Sequence, residues 1–431
     1  MRAMKDSGIE WIGEIPQEWN VCRIKTLFEI IGGNGFKEHL QGNESGDYPF
    51  YKVSDINGDS INSGRAANYI SSLTAKEYAF NLVPSKAIIM SKIGEALKKN
   101  HRKISSTDCF IDNNLQALVP IADIDEVFYY YVLCCINMEW FDNGGTIPSV
   151  SNQKLRDFKL PLPAKAQQIS IGHCILQKCA EIDTLIAAKE KTNALLKERR
   201  QSIIYEAVTK GLDPTVPMKD SGVEWIGEIP KEWEIAALKR MGTPATGSTP
   251  SKDNPDYWDG DIPWVSSKDM KSDYLLDSED HITQSAIDEC GLTLFAPGTL
   301  IFCVRSGILR HTFPVAVTTL PVTINQDLRA LSLTVDVNPA FLLYYMRGMN
   351  DTIVTLYQKI GATVESIEMD WFLYFPVVLP SREEQDRIVE ALDSRCASLD
   401  QTVKQNEATI RQLKEYRQSL IYEAVTGKKE I

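Results

Sequence analysis

The stretch "MKDSGIEWIGEIPQEWN" at residues 4–20 returns as "MKDSGVEWIGEIPKEWE" at 218–234, 214 residues further on. Each copy packs two Trp and a Pro into seventeen residues. A Pro in that setting excludes one long amphipathic helix. The segment reads as an extended lead-in, anchored by its aromatic residues against a domain. The offset persists well beyond it. "YPFYKVSDI" (48–56) faces "IPWVSSKDM" (262–270), aligning Pro49 with Pro263 and Asp55 with Asp269. "VPSKAIIMSKIG" (83–94) faces "APGTLIFCVRSG" (296–307), "LQAL" (115–118) faces "LRAL" (328–331), and "TIPSV" (146–150) faces "TVESI" (363–367). The strongest return is "KERRQSIIYEAVT" (197–209) against "KEYRQSLIYEAVT" (414–426). One plan is therefore used twice in tandem. The ends of the copies nearly coincide while the middles share only sparse markers, as a common scaffold presenting two different surfaces would.

Within each copy the middle alternates short apolar runs with turns. "KAIIMSKI" and "TLIFCV" are strand-like. "DEVFYYYVLCCIN" and "NPAFLLYYMRGM" are apolar all round and open on Asp or Asn–Pro, as buried helices do. Each copy closes on "LPLPAKAQQ" (160–168) or "VVLPSREEQ" (377–385), where Pro announces a long helix. Ile388, Leu392, Cys396, Leu399, Val403, Ile410, Leu413 and Leu420 follow steps of 3, 4 and 7, a heptad seam. Ile175, Cys179, Ile182, Ile186, Leu196 and Ile203 occupy the corresponding seam, interrupted at Lys189 and Asn193. A helix over 167–209 would span about 65 Å at ~1.5 Å per residue. Such a rod exceeds the needs of one domain's core, so the two helices are expected to pair with each other, in either direction; antiparallel pairing would put the globular domains at opposite ends and relate the copies by a pseudo-two-fold axis. The simpler alternative is that each helix packs only on its own domain.

The 431 residues allow two to four domains, and an apolar fraction of 43% suits ordinary cores. No apolar run reaches the length of a membrane span, and the N-terminus lacks the apolar core of a signal peptide. Nine Cys form no CxxC pair. Together these point to a reducing cytoplasm. The net charge of −12 is uneven: residues 1–213 hold 25 Lys+Arg against 26 Asp+Glu, and residues 214–431 hold 21 against 32.

With this frame the chain resembles the specificity (S) subunit of a Type I restriction–modification system. The resemblance rests on "GSTPSKDNPDYWDGDIPWVSSKDM" (247–270), "GDYPFYKVSDI" (46–56), the "LPLP…QQ" and "LPSREEQDRI" helix starts, and the "YEAVTKG" and "YEAVTGK" helix ends. It covers essentially the whole chain. The first copy carries "GNGFKEHLQGNESGDYPF" where the second has its Trp-rich opening, which implies a recognition domain of another subtype. The implied fold is α+β: two tandem α/β target recognition domains, 1–159 and 214–376, with long helices in 160–213 and 377–431 forming an antiparallel coiled coil. Each domain would read one half of a split double-stranded DNA site, and the coiled coil would set the gap. The implied partners are two methyltransferase (modification) subunits and motor–nuclease (restriction) subunits. S-adenosylmethionine, ATP and Mg are expected only in those partners.

Catalytic signals are weak. "NPDY" (254–257) lacks the second Pro of the adenine-methyltransferase motif, and "DIPW" (261–264) fails in the same way. In "GTPATGST" (242–249) Ser248 stands where a phosphate loop needs Lys. The five His make no metal cluster. A non-enzyme is expected, against the alternatives of a self-contained methyltransferase–nuclease and of a scaffold that binds only proteins. Because attraction to phosphate is local, an acidic chain can still hold DNA. The densest basic run is "KIGEALKKNHRK" (92–103), with Lys92, Lys98, Lys99, His101, Arg102 and Lys103. The matched place in the second copy, "RSGILRHT" (305–312), holds Arg305, Arg310 and His311. Ser248, Thr249 and Lys252 add a polar loop suited to phosphate. Arg and Lys pair with guanine edges, whereas phosphate contacts set register without reading sequence.

Overall fold

The computed structural model describes residues 2–58, 60–361 and 363–430. The chain divides into two compact units. One joins residues 1–189 to 408–431, and the other is residues 190–407.

The first unit opens on the antiparallel hairpin Met4–Ile9 with Gly13–Pro16, closed by the fully buried Trp19. The lead-in is thus extended and aromatic-anchored. Asn20–Arg23 then pairs with Lys159–Leu162, which tethers the start of the globular part to its end. That strand straddles the boundary placed at residue 159. "KLPL" forms a strand with Leu160 and Pro161 buried, and the long helix starts only at Lys165. Between these lie a four-stranded sheet, ordered Phe28–Gly32, Leu115–Pro120, Ile88–Ser91 and Arg102–Ile104, and a three-stranded sheet ordered Asn68–Ile70, Tyr48–Tyr51 and Phe110–Ile111. The helix Glu126–Cys134 starts where Asp125 accepts a hydrogen bond from the Phe128 amide at 2.8 Å.

The second unit repeats the plan. Its hairpin is Met218–Asp220 with Glu228–Pro230, Trp233 is 1% exposed, and Glu234–Ala237 pairs with Pro376–Leu379. Its larger sheet has five strands, ordered Gly242–Thr246, Leu328–Leu333, Leu300–Cys303, Val315–Thr318 and Tyr274–Leu275. The helix Pro339–Gly348 is capped by Asn338, which accepts from the Ala340 amide at 2.8 Å. The alignment made on sequence holds in detail. Asp55 accepts from the amides of Lys52 and Ala67, and Asp269 from those of Ser266 and Glu279.

The long helices are Lys165–Lys210 and Arg382–Val425. In the first unit Ile171, Ile175 and Cys179 from the start of one helix share a core with Ile421, Ala424 and Val425 from the end of the other. In the second unit Ile204, Ala207 and Val208 share a core with Ile388, Leu392 and Cys396. The start of each helix thus meets the end of the other, so the pairing is antiparallel. Matched ion pairs mark it: Asp183 with Arg417 at 3.4 Å in the first unit, and Arg200 with Asp400 at 3.3 Å in the second.

The helix-to-helix seam is shorter than the periodicity suggested. Ile182, Ile186, Ile410, Leu413 and Leu420 form it in the first unit. Ile175, Cys179, Ile388, Leu392 and Cys396 meet the other helix within the cores of the globular parts. At the matched end Ile204 is fully buried, and the expected Ile203 packs only partly. Leu196, Leu399 and Val403 are half-buried. A heptad pattern states which face is apolar without saying what covers it. The seam interruption at Asn193 is filled by a polar pair: Asn193 is 8% exposed and its side-chain oxygen accepts from Asn406 at 2.9 Å. The helices therefore pair, as expected, and do not pack only on their own domains, although their ends also join the globular cores.

Candidate nucleic-acid interface

In each unit a buried sheet strand delivers a basic residue to a turn at its end. In the second unit this strand is Leu300–Cys303, and the turn begins at Arg305. The Val304 and Arg305 amides both donate to the Asp327 carbonyl, at 2.9 and 3.2 Å. Arg305 also bridges to Ser366 of "TVESI", and the Ser306 amide donates to the Glu365 carbonyl at 3.0 Å. The Arg305 side chain is 62% exposed. Arg310 closes the following helical turn and pairs with Glu365, whose carboxyl the guanidinium holds below its usual range. His311 is exposed.

The first unit builds the same corner from Ile88–Ser91. The Lys92 amide donates to the Asn114 carbonyl at 2.9 Å, and the Val150 amide donates to the Lys92 carbonyl at 2.9 Å. Ile93 bridges to Ser149 of "TIPSV". The alignment of "TIPSV" with "TVESI" is therefore a structural equivalence; by these bridges Ile93 holds the place of Arg305, and Lys92 stands one residue before it at the same corner. Lys98 and Lys99 lie exposed on the short helix Ala96–Lys99, where Lys98 bonds Glu95 at 3.0 Å and is thereby raised above the usual ammonium range. His101 is half-buried.

Arg102 and Lys103 depart from expectation. Both are 3% exposed in the strand Arg102–Ile104. Arg102 donates to the Asn100 carbonyl and side chain, each at 2.9 Å, and to the Ile136 carbonyl at 2.7 Å. Burial pulls it below the usual guanidinium range. Lys103 donates to the carbonyls of Gly58 and Ser60. These two cations tie their strand to neighbouring loops and are withdrawn from the surface. A run of like charges in sequence does not distinguish outward side chains from those turned inward.

Beside the second unit's corner lies the polar loop. Ser248 and Lys252 are exposed, and Thr249 donates to the Gln326 side chain at 2.5 Å. Arg329 donates to Thr246 at 2.9 Å and to the carbonyls of Gln326 and Leu328. Sequence reasoning had not singled out Gln326 and Arg329. Their signal lay in "NQDLRAL", where a polar pair precedes a marker shared by both copies. Gly247 and Gly33 explain why this crossing needs glycine: a Cβ on Gly247 would overlap the Ile324 carbonyl, and one on Gly33 the Asp112 carbonyl. Among the described residues there is no group of three or more His, Cys, Asp or Glu placed to hold a metal ion, and no helix long and apolar enough to cross a membrane.

The two units thus define a duplicated α/β protein on an antiparallel helix pair, with an equivalent basic corner in each copy. A family model described as the Type I restriction modification DNA specificity domain matches residues 16–197 and again 230–414, and the chain belongs to that family. It is 28% identical over 270 residues to the EcoR124I/EcoR124II specificity subunit of Escherichia coli, covering 62% of each chain. It is 33% identical over 185 residues to the MjaIX specificity subunit of Methanocaldococcus jannaschii, covering 42% of each. The matched stretches therefore span less than two thirds of these relatives. In fold, the chain is similar to one from a solved type I R-M system, with a TM-score of 0.69 at 16% identity over 96% of this chain and 99% of that one. The HsdS subunit from Thermoanaerobacter tengcongensis gives 0.54 at 15% identity over 96% and 98%.

Proposed function

We propose that this chain is the DNA sequence-specificity subunit of a Type I restriction–modification complex, working in the cytoplasm. Each unit reads one half of a bipartite site on double-stranded DNA, and the helix pair sets the unread gap while docking two methyltransferase subunits. The observation that carries this reading is the matched corner of each copy, which holds Lys92 in one and Arg305, one position further along, in the other, in frames with different surrounding side chains. A shared frame brings phosphate-directed charge to the same corner twice. Divergent neighbours such as Asn114 and Asp327 let the halves differ in sequence.

Chemistry in this reading belongs to the partners. The methyltransferase subunits bring S-adenosylmethionine, and the motor–nuclease subunits bring ATP and Mg. Lys98, Lys99, His101, Arg310, His311, Ser248, Thr249 and Lys252 remain as candidate DNA contacts. The test is a methylome of the host with and without the gene for this chain. A bipartite methylated motif that disappears on deletion is the expected result. An unchanged methylome, or loss of a continuous motif, contradicts the proposal.

A further inference from the structure

The second unit contains an ionic node that joins its surface loops to the helix pair. Asp273 ends the loop that follows Ser266 and precedes the strand Tyr274–Leu275. Its carboxylate lies 3.8 Å from Arg200 on the first long helix and pairs with Arg347 on the helix Pro339–Gly348. Arg200 also meets Asp400 on the second long helix at 3.3 Å. The Arg200, Asp273 and Arg347 side chains are 21%, 27% and 29% exposed, so water screens this node less than an open surface pair. One carboxylate shared by two guanidiniums has little freedom to move. The Asp273 carbonyl is also fixed, accepting from the Val317 amide at 2.9 Å.

The node underlies the candidate interface. A cavity of about 470 Å³ is lined by Arg200 and Arg347, by Met270 and Lys271 of the loop, and by Thr312 and Phe313 just past the basic turn. The first unit differs at the place of Arg347. Arg417 takes the place of Arg200 and pairs with Asp183, but Cys134, which brings no cation, takes the place of Arg347.

We propose that Asp273 is a positioning residue that holds loop 266–273 and the basic turn 305–311 in fixed orientation on the long helix. Discrimination at the second copy's half-site then depends on the node, and discrimination at the first copy's half-site does not. This rests on the reading of the chain as a DNA-specificity subunit.

The test compares methylomes of cells expressing the full chain, with its methyltransferase partners, as wild type, Asp273→Asn, Arg347→Gln and Arg417→Gln. Asp273→Asn and Arg347→Gln are each expected to raise methylation at single-base variants of one half-site roughly tenfold, because small misplacements of reading groups are costly to selectivity. Both should relax the same half, with the other half and the gap unchanged. Arg417→Gln, which lies in the first unit, should leave the half-site read by the second unit selective. Wild-type selectivity in both node variants, or equal relaxation of the two halves, overturns the latch. A wild-type chain that produces no bipartite motif overturns the underlying reading instead.

Discussion

Inserting one heptad into each long helix, after Lys191 and after Ala408, is expected to lengthen the unread gap of the target by about three base pairs, leaving both half-sites unchanged. Seven residues add about 10 Å of helix, and DNA rises ~3.4 Å per base pair. Both helices must be lengthened because the pairing is reciprocal. Asp183 meets Arg417 on one side of the insertions, while Asn193 meets Asn406 and Arg200 meets Asp400 on the other. A heptad keeps every one of these pairs in phase. Four residues added to a single helix would add about 6 Å, or roughly two base pairs if the helix acted as a free ruler. It would also pull those ion pairs out of register, so loss of methylation is expected there rather than a clean shift. Methylome sequencing reads the gap directly. An unchanged gap in the double insertion rejects the ruler.

Replacing Trp233 by Ala is expected to destabilise the second unit by about 3–5 kcal/mol, the usual range for emptying a buried Trp site. Trp233 is 1% exposed beneath the repeated hairpin, and its indole donates to the Glu384 carboxylate at 2.9 Å. The conservative change separates packing from hydrogen bonding. Trp233→Phe leaves that half-buried carboxylate without its donor, at about 1–3 kcal/mol. Trp19→Phe in the first unit should cost less, because the buried Trp19 indole nitrogen has no partner among the described residues. Denaturant unfolding of the three variants checks the order. Equal losses for the two Phe variants would show that the Glu384 bond contributes nothing.

The duplication and the buried strands and helices were legible because repetition and periodicity are written in residue order, whereas the helix direction came only from the family resemblance. The pairing of "TIPSV" with "TVESI" was visible because it too repeats in residue order, and the structure gives it meaning as a matched bridge to Ile93 and Arg305. What residue order concealed was direction. Arg102 and Lys103 belong to a basic run, yet the strand geometry turns both inward to carbonyl partners. At Ile175, Cys179, Ile388, Leu392 and Cys396 the seam meets the other helix inside the globular cores, which residue order did not show. Asn193 read as a break because its compensating partner, Asn406, is remote in sequence. Asp273 gave no sequence signal, since its two arginines come from distant elements.

The central claim is that one unit reads one half-site. Its most direct test exchanges residues 242–375 for the matching segment of a relative with a different methylated motif. The hairpin and the strands Glu234–Ala237 and Pro376–Leu379 stay in place. The expected methylome keeps one half-site and the gap of the original motif and takes its other half from the donor. A motif changed in both halves, or in neither, would contradict the account.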